Sequence, residues 1–192
     1  MPHTLRGALA RFTVRRAARA QRRAPRRADL WLRLGCALSP SFGEAHTALV
    51  HLRRTADDRW GAVAAAQDAT ERFPDNPDAW MLLGDALQMV FRQKEALGAF
   101  EQALAIEERA DAAIAAGELY RRAGQPAEAA ARFARAYAAG GGPDALWQNA
   151  QALFLAGDEA AAEEALSLWA TQVPDGLRRL STARAELRAV KR

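Results

Sequence analysis

The chain has 192 residues, a formal charge of +4, 50% hydrophobic residues and a single cysteine, Cys36. That length can bury a full core as one domain or a short repeat array. One cysteine excludes an internal disulfide, and no run is long and apolar enough to cross a bilayer. Ala, Leu, Glu and Arg dominate while Val, Ile and Thr are scarce, which predicts an all-helical chain.

The charge is unevenly spread. Residues 1–28 carry nine arginines and no acid, residues 177–192 contribute a further +5, and the body between them is left at −10. In the N-terminal arm Leu5, Leu9 and Phe12 make a short apolar stripe, followed by Arg15, Arg16, Arg19, Arg22, Arg23, Arg26 and Arg27. Three readings of this arm stay open: an organellar targeting segment, a ligand of anionic lipid or nucleic acid, and a loosely helical tail. Poor interleaving of aromatics argues against base recognition. Residues 29–38 then read as the second helix of an atypical first unit that ends at Pro40, with the arm supplying its first helix if it folds.

From residue 43 the chain repeats. The best-formed unit reads Trp80-x-x-Leu83-Gly84-x-x-Leu87, then Ala96-x-x-x-Phe100-x-x-Ala103 after a break at Gln93 and Lys94. Both halves space apolar or small residues as half-buried helices do. Gly84 returns as Gly117, Gly124 as Gly157, and Phe100 as Phe133 and Leu166, each 33 residues on. Ala96 has counterparts at Ala62, Ala129 and Ala162, and Ala103 at Ala69, Ala136 and Trp169. Pro40, Pro74 and Pro174 mark unit ends. Two antiparallel helices approach closely only where side chains are small, so Gly84, Ala96 and Ala103 predict the contact line and Trp80, Leu87 and Phe100 the filling beside it. Beyond Pro174, Leu177, Leu180, Leu187 and Val190 predict a one-sided final helix over 177–192, with Arg178, Arg179, Arg184 and Arg188 on its other face.

These units resemble the tetratricopeptide repeat over residues 43–176, as 43–76, 77–109, 110–142 and 143–176 within a repeat region of 29–176. The first is the weakest match, with Val50 and Arg53 where the pattern holds Gly and Tyr. The resemblance implies an all-α, right-handed α-solenoid of antiparallel helix pairs with a C-terminal capping helix. It further implies a concave groove lined by the first helix of each pair. The groove positions are Thr47, His51 and Arg54; then Met81, Asp85, Gln88 and Met89; then Ile114, Glu118, Arg121 and Arg122; then Trp147, Gln151 and Phe154. A lining with Met81, Met89, Ile114, Trp147 and Phe154 suits an apolar or helical peptide, although the same residues could pack on a neighbouring pair or on the cap. The lysine and asparagine with which one subtype of the family grips chaperone tails are replaced here by Thr47, His51, Met81 and Asp85, so that activity is not expected.

The remaining candidates have plain structural explanations. Glu44, Asp78, Asp111 and Asp144 recur at the repeat spacing, where a carboxylate in a helix's first turn favours the dipole. Glu107-Glu108 and Glu163-Glu164 fall on solvent faces. His46 and His51 are five apart, off the common face of a helical metal pair, and Cys36 reads as a small buried residue. No nucleophile elbow, phosphate loop or metal motif is present, so no enzyme, cofactor or metal is expected. The sequence predicts an interaction scaffold or adaptor that binds a protein or peptide segment as a subunit of a larger complex in a reducing, cytoplasmic setting; the alternatives are an adaptor to nucleic acid or an anionic membrane through the arm, and an organelle matrix location if the arm is a targeting segment.

Overall fold

A computed structural model describes residues 2–39 and 41–189, with side chains from residue 5 onward. The frame-marking Pro40 and the stripe residue Val190 lie outside the described residues. Among the described residues there are eleven α-helices and no strand. They fall into two compact units, Met1–Ile106 and Glu107–Arg192.

The first unit holds α1 (Pro2–Ala20), α2 (Pro25–Leu38), α3 (Glu44–Thr55), α4 (Arg59–Arg72), α5 (Pro77–Met89) and α6 (Gln93–Ile106). The second holds α7 (Ala110–Arg122), α8 (Pro126–Ala138), α9 (Gly142–Ala156), α10 (Glu159–Gln172) and α11 (Gly176–Ala189). Within each unit successive helices pack on one another as antiparallel neighbours joined by short turns.

The turns recur with the repeat. In the four helix pairs from α3 onward the chain passes between helices through one left-handed residue: Asp57 (φ 59°), Phe91 (φ 60°), Gly124 (φ 72°) and Gly157 (φ 91°). Glycine adopts this conformation freely and a phenylalanine does so at a cost, so Phe91 stands out. Starts are equally regular. Asp58 accepts a hydrogen bond from the Gly61 amide and Asp158 one from the Ala161 amide, while Asn76 accepts from Asp78 and Ala79. Each stabilises a helix N-terminus whose first amides lack intrahelical partners. Glu44, Asp78, Asp111 and Asp144 all stand in the first turn of their helices. The Arg109 hydrogen bond also holds the Asp111 carboxyl below the usual carboxylate range.

Close approach inside each pair follows the small–large scheme. A Cβ on Gly84 would stand 2.4 Å from the Phe100 ring, and one on Gly117 would stand 2.7 Å from the Phe133 ring. Both rings are fully buried. The equivalent pair in α9 and α10 is Ala150 and Leu166. In α3 and α4 it is Val50 and Ala66, both buried, so there the bulk sits on the first helix and the space on the second. Arg53, the other departure from the repeat pattern, ties three helices together. Its Nε donates to Asp29 Oδ1 at 2.9 Å and its Nη1 to the Gly61 carbonyl at 2.8 Å.

One helix packs through a face the sequence did not mark, and one expected stripe is buried only in part. Helix α1 packs through Ala10, Thr13, Val14 and Ala17 rather than through Leu5, Leu9 and Phe12, which stay exposed. Its small face fits Gly35 of α2, where an added Cβ would meet Thr13 Oγ1 at 2.5 Å. At the other end α11 buries Ala183 and Leu187, whereas Leu177 is exposed. Leu177 stands in the first turn, well round the helix from the Ala183–Leu187 line.

Candidate binding groove

Helices α3 and α5 are the first helices of consecutive pairs and lie against each other. Between them opens a groove of about 410 Å³, lined by Glu44, Thr47, Ala48, Val50, His51, Arg54, Leu82, Asp85, Ala86 and Met89. Thr47, His51, Arg54, Asp85 and Met89 among the sequence-derived positions are therefore brought to one cavity. Met81 and Gln88 are half-buried on α5 outside that lining.

The lining is graded. Ala48, Val50, Leu82, Ala86 and Met89 supply an apolar floor, and charge stands on the rim. His51 and Arg54 are joined, Arg54 Nη2 donating to His51 Nδ1 at 2.8 Å, which fixes the imidazole as an acceptor at that nitrogen. Glu44 and Asp85 place carboxylates at the same opening. Thr47 Oγ1 donates back to the Glu44 carbonyl at 3.1 Å. Sequence reasoning missed Ala48, Leu82 and Ala86 because they flank the chosen helical line by one residue, and the wall of a groove is wider than a line.

In the second unit the candidate positions do not share one groove: some pack, some bond to neighbours and two stay exposed. Glu118 accepts hydrogen bonds from Arg121 Nη2 at 2.6 Å and from Gln148 Nε2 at 3.3 Å. Ile114 and Gln151 are half-buried, and Arg121 and Arg122 are exposed. Trp147 tilts against Trp169, ring centroids 5.4 Å apart, and with Arg179, Thr182 and Glu186 of α11 lines a small cavity of about 240 Å³. Phe154 is buried in the core formed with Leu146, Leu166, Trp169 and Leu187. The structure thus places both aromatics on the inner side of the α9–α10–α11 packing. The physical reason is the return of α11, whose path no repeat predicts.

Two buried groups have no part in the groove. Cys36 lies beneath Arg72, whose Nη1 donates to the Cys36 carbonyl at 2.6 Å, and burial pushes its thiol up to about 11. A thiol held protonated at neutral pH is a poor nucleophile. His46 is 2% exposed, stacked on Phe42 at 5.4 Å and edge-on to Phe73 at 5.2 Å, and neither ring nitrogen makes a hydrogen bond of good geometry. No group of three or more His, Cys, Asp or Glu side chains that could hold a metal occurs among the described residues. Nor is any of their helices long and apolar enough to cross a membrane.

No family model matches the sequence, and no curated protein matches it. Solved structures do match over nearly the whole chain. The crystal structure of the MamA protein aligns with a TM-score of 0.68 at 16% identity, covering 86% of this chain and 92% of that one. PilF of Pseudomonas aeruginosa aligns with a TM-score of 0.67 at 20% identity, covering 96% and 85%. YrrB, described as a TPR protein with an unusual peptide-binding site, aligns with a TM-score of 0.63 at 19% identity, covering 90% of each chain. This chain has the fold of the tetratricopeptide-repeat solenoids, as the resemblance of its repeat units implies.

Proposed function

We propose that the protein is an interaction scaffold that holds a segment of a partner protein in the groove between α3 and α5. The observation that supports this reading most directly is the convergence of Thr47, His51, Arg54, Asp85 and Met89 on one open, apolar-floored cavity. A groove with an aliphatic floor and both signs of charge on its rim suits a short segment that inserts one apolar side chain between polar neighbours. YrrB, similar in fold, is described as having a peptide-binding site, which makes peptide capture a natural use of such a surface. The reading assigns the chain no reaction.

The test is selection of peptides from a random library on the full chain, followed by calorimetry with variants. Thr47→Trp and Met89→Glu fill or charge the groove, whereas Gln102→Trp alters an exposed position on α6. Peptides that lose about tenfold or more in affinity for the first two variants and keep it for the third support the groove. Peptides that bind all three variants equally refute it.

A further inference from the structure

The outward face of the α1–α2 pair carries a second surface, independent of the groove. Helix α1 packs on α2 and α3 through its small residues, and α2 packs through Ala28, Leu32, Gly35 and Cys36. The opposite faces hold large apolar side chains left in solvent. Leu5 is 65%, Leu9 42% and Phe12 48% exposed on α1; Leu30 is 63% and Leu34 45% exposed on α2. Phe12 meets Trp31 of α2 edge-on at 6.3 Å, an aromatic contact that links the stripe of α1 to α2 next to Leu30. A single exposed leucine needs no explanation, but five large apolar residues on one helix pair form a patch that calls for a cover.

The charge around that patch has one sign. Arg6, Arg11, Arg15, Arg16, Arg19, Arg22, Arg23, Arg26, Arg27 and Arg33 are all exposed. Arg16 lies over the Phe12 ring at 5.3 Å. The only acid between residues 5 and 38 is Asp29, half-buried and bonded to Arg53 on the inner side. Whatever covers this face must accept leucines and a phenylalanine and must also bring negative charge. A nucleic acid would neutralise the arginines and leave the leucines in water. The boundary between headgroups and acyl chains satisfies both, since apolar side chains enter it while long guanidinium stems reach the phosphates.

We propose that the α1–α2 pair docks peripherally on an anionic lipid bilayer, with Leu5, Leu9, Phe12, Leu30 and Leu34 entering the interface and the surrounding arginines on lipid phosphates. The pair is already folded on α3, so binding needs no helix to form, and the rest of the chain is held at the membrane surface with its groove free.

The experiment is vesicle flotation of the full chain at physiological salt. It uses mixed phosphatidylcholine–phosphatidylglycerol vesicles and pure phosphatidylcholine vesicles. Binding to the mixed vesicles alone is expected. Each arginine replaced, as in Arg15→Gln or Arg19→Gln, weakens it about fivefold. Leu30→Gln with Leu34→Gln keeps the charge and the exposed helix and is expected to weaken binding by about tenfold or more. Circular dichroism checks that these variants stay folded. Failure of the chain to float with mixed vesicles overturns the proposal. So does binding that the leucine pair leaves unchanged, which would mark a purely electrostatic contact of the kind duplex DNA also makes. A concentration-dependent dimer in light scattering that the leucine pair abolishes would assign the patch to a second copy and equally overturn it.

Discussion

His46 shows how one side chain can make stability depend on pH without any catalytic role. Burial first, and then the Arg72 charge, hold its pKa below the ordinary histidine value, against the opposing pull of the Gly43 backbone and Asp68. Below about pH 6.5 an unfolded histidine takes up a proton that the folded one refuses. The native state therefore has its full stability above that pH and loses it as the pH falls toward the depressed folded value. Asp111 adds a second loss at lower pH, because its depressed carboxyl pKa stabilises the fold only until that carboxyl protonates. We expect His46→Leu to flatten the dependence of urea midpoint on pH between about 6.5 and 5. The same change removes two buried nitrogens without good partners and should stabilise the fold by about 1–2 kcal/mol at neutral pH. A variant that keeps the slope of the parent would exclude His46 as its source.

The helix pair is the unit in which volume is balanced. In α5 and α6 the space is at Gly84 and the bulk at Phe100; in α3 and α4 the bulk is at Val50 and the space at Ala66. Gly84→Ala pushes a methyl into a fully buried ring and should cost about 2 kcal/mol or more. Ala66→Phe should likewise cost about 1–3 kcal/mol, and adding Val50→Gly should recover part of it, with a coupling of about 1 kcal/mol in the cycle. Additive effects in that cycle would mean that Val50 and Ala66 do not face each other. This scheme was legible in the sequence because glycine and phenylalanine recur in a 33-residue frame that only paired helices explain. The packing face of α1 was not, since it is made of Ala10, Thr13 and Ala17 while the residues that draw the eye, Leu5, Leu9 and Phe12, face out. Small residues leave a weak periodic signal even where they set the closest contacts.

For the molecule as a whole, the ends decide what the repeats cannot. A stacked pair leaves one face for its successor, and for the α9–α10 pair what arrives there is a single helix. Helix α11 covers that face with Ala183 and Leu187 against Trp169 and Leu166, aided by Arg179 over the Trp169 ring and by the Arg184 Nε bond to Glu163 at 2.7 Å. Leu187→Ala should cost about 2–3 kcal/mol, seen as a lower urea midpoint and weaker near-ultraviolet dichroism from Trp147 and Trp169. An unchanged midpoint would show that the cap is not coupled to the core beneath it. Of the groove positions in α3 and α5, Thr47, His51, Arg54, Asp85 and Met89 were readable from the frame alone. For Trp147 and Phe154 the frame left two readings, groove or packing on the cap, and α11, a helix after Pro174 and outside the repeat, decides for packing.

The reversed Val50–Ala66 pair has one more consequence, for how the chain finds its own partners while folding. Near-identical hairpins invite mistaken pairing, one first helix closing on the wrong second helix or on that of another molecule. Val50 brought against Phe100 would crowd two large side chains, and Gly84 brought against Ala66 would leave a hole. Both errors are penalised by shape alone, so the weakest match to the repeat pattern also acts as the key that keeps neighbouring hairpins from exchanging halves.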